Sequence, residues 1–305
     1  MAPSSTPAAQ KPPSVLRARL LRQLSRLSRE HALIEPGDRI MVACSGGKDS
    51  WALLHLLRAH QRTLPFPISL VAFNLDQGHP GYDPAPLVEH LVAHGFEHHV
   101  ELRDTYSVVV RNTPAGKTYC SRCSRMRRAL LHQMADRLGA NKIALGHHRD
   151  DLIETLLLNQ MFAGRLRAMA AKLPAPEGGH AVIRPLLACA EAELAAYAAH
   201  VGAPILPCNL CGSQPDSRRQ QVKRWLRELE AQVPSLRANL YAAAGNLEPD
   251  HLLDPRFFGQ DPGSPSEPLA ETDIEGGEPL VQLRKSHTDS EAHRPGSRPP
   301  GPARS

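Results

Sequence analysis

Leucine and valine recur at helical spacing from residue 15 to about 34, with arginines between them. This predicts a basic amphipathic helix, with Ser14 as its cap. Glu35-Pro36-Gly37-Asp38 then predicts a turn. Residues 39–44 form a short apolar run, the pattern of a strand buried on both faces, and residues 51–57 resume helical spacing after a polar loop. A second strand is expected over 68–75, ending at Asp76, then a helix over 86–94 and a third strand over 98–102. A fourth strand at 142–145, a helix at 150–162, a fifth strand at 181–184 and a helix at 190–201 follow. An extended segment at 204–206 precedes two last helices at 217–232 and 235–244. Strands alternating with helices predict an α/β fold, a parallel sheet with helices on both faces. Residues 1–13 and 263–305 are rich in small, polar and proline residues and read as disordered tails around one unit at 14–262.

Composition narrows the picture. Hydrophobic residues make up 41% of the 305-residue chain but aromatics only 4%, so the core must be aliphatic. The net charge of +5 suits an RNA or nucleotide partner without requiring one. No apolar run approaches the ~18 residues of a membrane span, and residues 1–13 lack the apolar stretch of a secretory signal. A cytoplasmic protein is the expectation. Its six cysteines then read as metal ligands, catalytic groups or core residues rather than disulfides.

Three polar clusters fall where strands end: residues 45–50, Asp76 with Gln77, and residues 146–151. Ligands of parallel sheets bind at that edge. Ser45-Gly46-Gly47-Lys48-Asp49-Ser50 joins a strand to a helix. Its glycines admit close approach of an anion, the helix start offers free N–H groups, and Lys48 adds charge. Ser45 and Ser50 add hydroxyls, and Ser50 is a candidate helix cap. The loop is not a Walker A motif, because Val42 stands where the first glycine would be and Asp49 follows the lysine. After the fourth strand, Gly146-His147-His148-Arg149-Asp150-Asp151 puts two carboxylates at a helix start. They serve either as a good helix start or as hard oxygen ligands for Mg²⁺ beside a phosphate, with the histidines and Arg149 near the reacting groups.

Cys120-Ser-Arg-Cys123 and Cys208-Asn-Leu-Cys211 are two Cys-x-x-Cys pairs, a strong metal signal. The 84 residues between them far exceed the ~15–20 of a zinc ribbon. A zinc site built from distant segments, an iron–sulfur cluster and a thiol redox pair all remain open. Cys44 and Cys189 sit in apolar runs and read as core. Both pairs have basic neighbours, among them Arg127, Arg128, Arg218, Arg219, Lys223 and Arg224, which suit RNA phosphates or a solvated helix face.

Ser-Gly-Gly-Lys-Asp-Ser resembles the PP-loop of the N-type ATP pyrophosphatases, proteins of the adenine nucleotide α-hydrolase fold. Together with Asn-Leu-Asp-Gln77, Lys-Thr-x-Cys120-Ser-x-Cys123-Ser-Arg, Gly146-His-His-Arg-Asp-Asp151 and Pro-Cys208-Asn-Leu-Cys211-Gly-Ser-Gln, it makes residues 14–260 similar to the tRNA 2-thiocytidine synthetase family. The resemblance implies an ATP enzyme that adenylates the C2 oxygen of cytidine 32 in tRNA, releases pyrophosphate and replaces that oxygen with sulfur. It implies that Ser45, Gly46, Gly47, Lys48, Asp49, Ser50, Asp76 and Gly146 bind the nucleotide. It implies a [4Fe–4S] cluster on Cys120, Cys123 and Cys211, with Cys208 close behind as the third ligand. Asp150 and Asp151 would hold Mg²⁺, and Asp49, Asp150 and the three cysteines would be catalytic. The implied partners are tRNA, a cysteine desulfurase or other sulfur donor, and a second copy of the chain. A 2-thiouridine synthetase and a zinc-stapled RNA-binding protein without catalysis are the competing readings.

Overall fold

The computed structural model describes residues 13–112, 120–174, 179–206 and 218–254, with the backbone alone for 120–125. The runs without polar alternation become the sheet. β1 (Arg39–Ala43), β2 (Ser69–Asp76), β3 (His98–Leu102), β4 (Lys142–Ala144), β5 (Lys172–Leu173) and β6 (Ala181–Ile183) form one six-stranded sheet in the order β3-β2-β1-β4-β6-β5. β1 pairs with both β2 and β4, Ile40 lying between Leu70 and Lys142. These and the β2–β3 and β4–β6 pairs are parallel. The expectation of a purely parallel, five-stranded sheet is corrected at one edge. β5, two residues long, pairs antiparallel with β6 and is too short to leave a periodic signal.

Nine α-helices occur among the described residues: α1 (Pro13–Glu30), α2 (Lys48–Gln61), α3 (Ala85–Ala93), α4 (Thr105–Asn112), α5 (Cys120–Arg137), α6 (Arg149–Ala163), α7 (Glu191–His200), α8 (Arg218–Gln232) and α9 (Leu236–Ala243). The sheet separates two apolar layers. Ile40, Val42, Leu70 and Ala72 pack with Leu20, Leu24, Trp51 and Leu53 on one side. Met41, Val71 and Phe73 pack with Met134 and Ala135 of α5 on the other. Successive β1 residues therefore point into opposite layers, which is why Ile40, Met41 and Val42 are all apolar.

Ser14 is not the cap of α1. The helix begins one residue earlier, at Pro13, a residue suited to a first turn where N–H groups lack partners. α1 also ends at Glu30, short of the expected residue 34. Ala32 adopts φ 46°, and the N–H groups of Ala32 and Leu33 donate to the carbonyls of Arg29 and Ser28, a Schellman closure. Leu33 and Ile34 stay buried and so continue the apolar period beyond the helix.

β1 stands where the order of connections reverses, with β2 and β3 to one side and β4 to the other. The crevice at the carboxyl ends of β1 and β4 is the switch point at which doubly wound sheets bind ligands.

Candidate active site

Residues 45–50 cross that crevice. α2 starts at Lys48 with Gly47 as its cap, and no side chain caps it. The expected capping by Ser50 is therefore corrected. Ser50 lies inside the first turn, where its hydroxyl donates to the Gly47 carbonyl at 2.8 Å. The leading N–H groups of α2 lack intrahelical acceptors, and the helix dipole is positive there. Gly46 has φ +80°, and a Cβ on it would lie 2.8 Å from the Leu206 side chain. Its carbonyl accepts from Leu206 N at 3.0 Å. The loop thus needs glycine both for its turn and for the Leu206 segment packed on it.

Lys48 Nζ lies 2.9 Å from Asp49 Oδ2 and 2.9 Å from Glu191 Oε1. Burial works against its charge, but the two carboxylates hold its pKa above the ordinary lysine range. Asp49 Oδ1 is buried without a hydrogen-bond partner, and His148 Nε2 is 3.8 Å away.

The second wall is the turn from β4 into α6. A Cβ on Gly146 would lie 3.1 Å from both the Asp49 carbonyl carbon and Ser50 N, so only glycine lets this turn reach the loop. His148 and Asp151 form a capping box. Asp151 N donates to His148 Nδ1, and His148 N donates to Asp151 Oδ2. Burial would raise the Asp151 pKa, but His148, His147 and Arg219 outweigh it and keep the carboxylate ionised. His147 is driven to about 4 by burial and then by Arg184, whose Nε donates to its Nδ1 at 3.3 Å. The imidazole is thus neutral at physiological pH. Asp150 is fully engaged. Arg237 Nη1 lies 2.6 Å from its Oδ1, and Glu191 N donates to its Oδ2 at 2.8 Å.

Asp76 closes β2 and accepts from Gly78 N at 2.8 Å. Beside it, Asn74 donates to the Cys44 carbonyl and accepts from Tyr82. Cys44 and Cys189 are buried, and burial pushes both thiols up to about 12. Neither is available as a thiolate, as expected for core residues. Cys120 and Cys123 begin α5 three residues apart, a spacing that shares one helix face. Their side chains, and Cys208 and Cys211 altogether, lie outside the described residues.

Several participants carry no motif of their own. Leu206, the last described residue before Cys208, is bonded to the loop. Arg219, in the first turn after that segment, lies 3.4 Å from both Asp151 and Glu154. Lys223 lies 3.5 Å from Glu154. Burial lifts Glu154 to about 7 against these cations. The basic run at 218–224 was visible in sequence, but its pairing with acids of α6, 65 and 68 residues from Arg219, was not. Glu191 had no signal beyond its place at the start of α7.

A phosphate cradle at the switch point of a doubly wound sheet, facing a carboxylate-bearing turn, defines a nucleotide-binding protein of the adenine nucleotide α-hydrolase fold. Residues 16–204 match a family profile described as a PP-loop domain. Over 239 residues the chain is 50% identical to a tRNA-cytidine(32) 2-sulfurtransferase of Sorangium cellulosum, covering 78% of this chain and 84% of that one. Over 240 residues it is 52% identical to the protein of that name from Anaeromyxobacter dehalogenans, covering 78% and 82%. The chain belongs to the tRNA-cytidine(32) 2-sulfurtransferase family. Among solved structures, the U34-tRNA thiolase NcsA of Methanococcus maripaludis, determined with its [4Fe–4S] cluster, shares the fold at a TM-score of 0.61 and 21% identity, covering 76% of this chain and 78% of that one.

Proposed function

We propose that this chain catalyses ATP-dependent conversion of cytidine 32 of tRNA to 2-thiocytidine. The observation that carries the proposal is the contact of three segments at one crevice: the Gly46 loop, the Gly146 turn packed on it, and Leu206, which leads into Cys208-x-x-Cys211. Lys48, the α2 N-terminus and the Ser45 and Ser50 hydroxyls would bind the phosphates of ATP, with Asp76 toward the adenosine. Lys48 exchanges its contact with Glu191 for phosphate. The cytidine C2 oxygen attacks the α-phosphorus and pyrophosphate leaves. Sulfur then attacks C2, and AMP departs with the original oxygen. The base must leave its stack to reach the crevice.

The donor set fits the groups that the family resemblance implies. Asp49, with its unpartnered buried oxygen, and Asp151 supply hard oxygens that would hold Mg²⁺ against the phosphates. Asp150, whose oxygens meet Arg237 and Glu191 N, and Asp151, whose oxygens meet Arg219 and His148 N, would each give up a contact to take the ion. Cys44 and Cys189 stay buried thiols, and the resemblance implies Cys120, Cys123 and Cys211, or Cys208 in its place, as the cluster ligands. A [4Fe–4S] cluster bound by three thiolates would keep one iron open to carry sulfur. The sulfur would come from a cysteine desulfurase or a carrier, and we take the working form to be a cytosolic homodimer.

Nucleoside mass spectrometry of tRNA from a deletion strain tests the reading. The wild-type gene should restore 2-thiocytidine, whereas Lys48→Ala and Cys120→Ala should not. Cys120→Ala protein should also lose iron and brown colour while still binding ATP. Restoration of 2-thiouridine instead would assign the chain to uridine. Zinc in colourless protein, with undiminished 2-thiocytidine from Cys120→Ala, would sink the cluster role.

A further inference from the structure

Away from the crevice, two turns of α2 beyond Lys48, three histidines converge between α2 and α3. One ring nitrogen from each of His55, His90 and His94 falls within 4.8 Å of the others. His55 Nε2 and His90 Nε2 are 3.0 Å apart. His90 lies on α3 and His94 caps its C-terminus four residues on, so their rings share one face, with centroids 4.1 Å apart. The His55 ring meets both edge-on, at 5.2 and 5.1 Å.

We propose that His55, His90 and His94 form a three-imidazole site for a zinc-class divalent cation, pinning α3 to α2. Imidazole nitrogens are ligands of such ions, and a helical pair at i and i+4 joined by a third residue is a usual way to present them. The nitrogen not needed for the metal is held as metal-binding histidines hold theirs. His94 Nδ1 lies 2.9 Å from the His90 carbonyl, so it carries the proton and leaves the Nε2 lone pair free. Without an ion, the two facing Nε2 atoms of His55 and His90 must share a single proton. With one, both lone pairs have an acceptor. Trp51 meets the His90 ring edge-on at 4.7 Å and limits its rotation.

The neighbouring charges are cationic. Arg58 donates to the carbonyls of His94 and Gly95 and lies 3.9 Å over Phe96. Arg17 and Arg62 line, with His55 and His94, a cavity of about 210 Å³ that borders the cluster. That cavity gives the ion a way in, and its arginines favour water or a small anion as the fourth ligand. The group contains no carboxylate to neutralise the metal, which suits a site with an exchangeable anion beside it.

The test uses untagged full-length protein with its cluster reconstituted, so that the thiols are occupied. It is dialysed against zinc sulfate, and bound metal is counted. One zinc beyond the iron is expected, with a nitrogen shell near ~2.0 Å and no sulfur shell near ~2.3 Å at the zinc absorption edge. His94→Gln, on the exposed surface, should weaken zinc at least about tenfold. Protein with carboxamidomethylated thiols should behave alike, so the result does not depend on the cluster. No zinc uptake, a sulfur shell, or unchanged affinity in His94→Gln would overturn the site.

Discussion

Glu154 shows how one buried residue ties the site to pH. It is 1% exposed on α6, with Arg219 and Lys223 at 3.4 and 3.5 Å, yet burial still raises its pKa from 4.5 to about 7. A carboxyl whose folded pKa exceeds its unfolded value binds more protons in the native state between those values. Stability is therefore fullest below about pH 4.5 and falls as pH rises toward about 7, a swing of at most roughly 3 kcal/mol. Glu154→Gln removes the proton exchange but keeps the shape. Its melting temperature should gain on the wild type by several degrees between pH 5 and pH 8. A difference that stays flat across that range would show that Glu154 does not titrate there.

At the scale of elements, what the pattern revealed and what it hid have separate physical causes. β1, β2 and α2 were legible because burial on both faces removes polar residues from the strands, while α2 keeps the helical period. α4 and α5 were not predicted as helices. Cys120–Arg137 has four of its arginines within residues 122–128, and its apolar contacts, Leu131, Met134 and Ala135, crowd into the last two turns. The end of α1 was misplaced because Ala32 takes the left-handed position usually filled by glycine. The site divides in the same way. Residues 45–50 and 146–151 were visible as strand-end motifs, whereas Leu206 and Glu191 reach the loop only through tertiary contacts. α8 is the element that joins these parts. It packs on α6 through a nearly dry face that includes Val222 and Leu226, and so brings Arg219 and Lys223 to Asp151 and Glu154. Leu226→Ala should cost about 2–5 kcal/mol in urea unfolding and lower thiolation at growth temperature. Arg227→Ala, on the exposed face of the same helix, should stay within about 0.5 kcal/mol. Equal effects from the two variants would mean that α8 is not docked through that face.

For the whole molecule, the division of charge is informative. The acidic groups at the crevice are already engaged: Asp150 by Arg237, Asp151 by Arg219, and Glu191 by Lys48. These internal pairings use part of the positive charge that sequence alone would assign to RNA. Beside the crevice, the outward face of α8 offers a polyanion the exposed Arg224 and Arg227. Arg219 and Lys223 on the inward side hold the helix in place. A tRNA approaching the crevice beside α8 would therefore meet two separable sets of cations. Each exposed arginine paired with a phosphate releases condensed counterions, so affinity depends steeply on salt. Arg224→Glu combined with Arg227→Glu should weaken tRNA binding about tenfold or more near 0.1 M salt and reduce the slope of log affinity against log salt by about two. ATP binding by the same protein should be unchanged, because neither side chain contacts the loop. A salt slope equal to that of the wild type would move the RNA surface off α8, and the basic residues around Cys120 and Cys123 would then be the place to look.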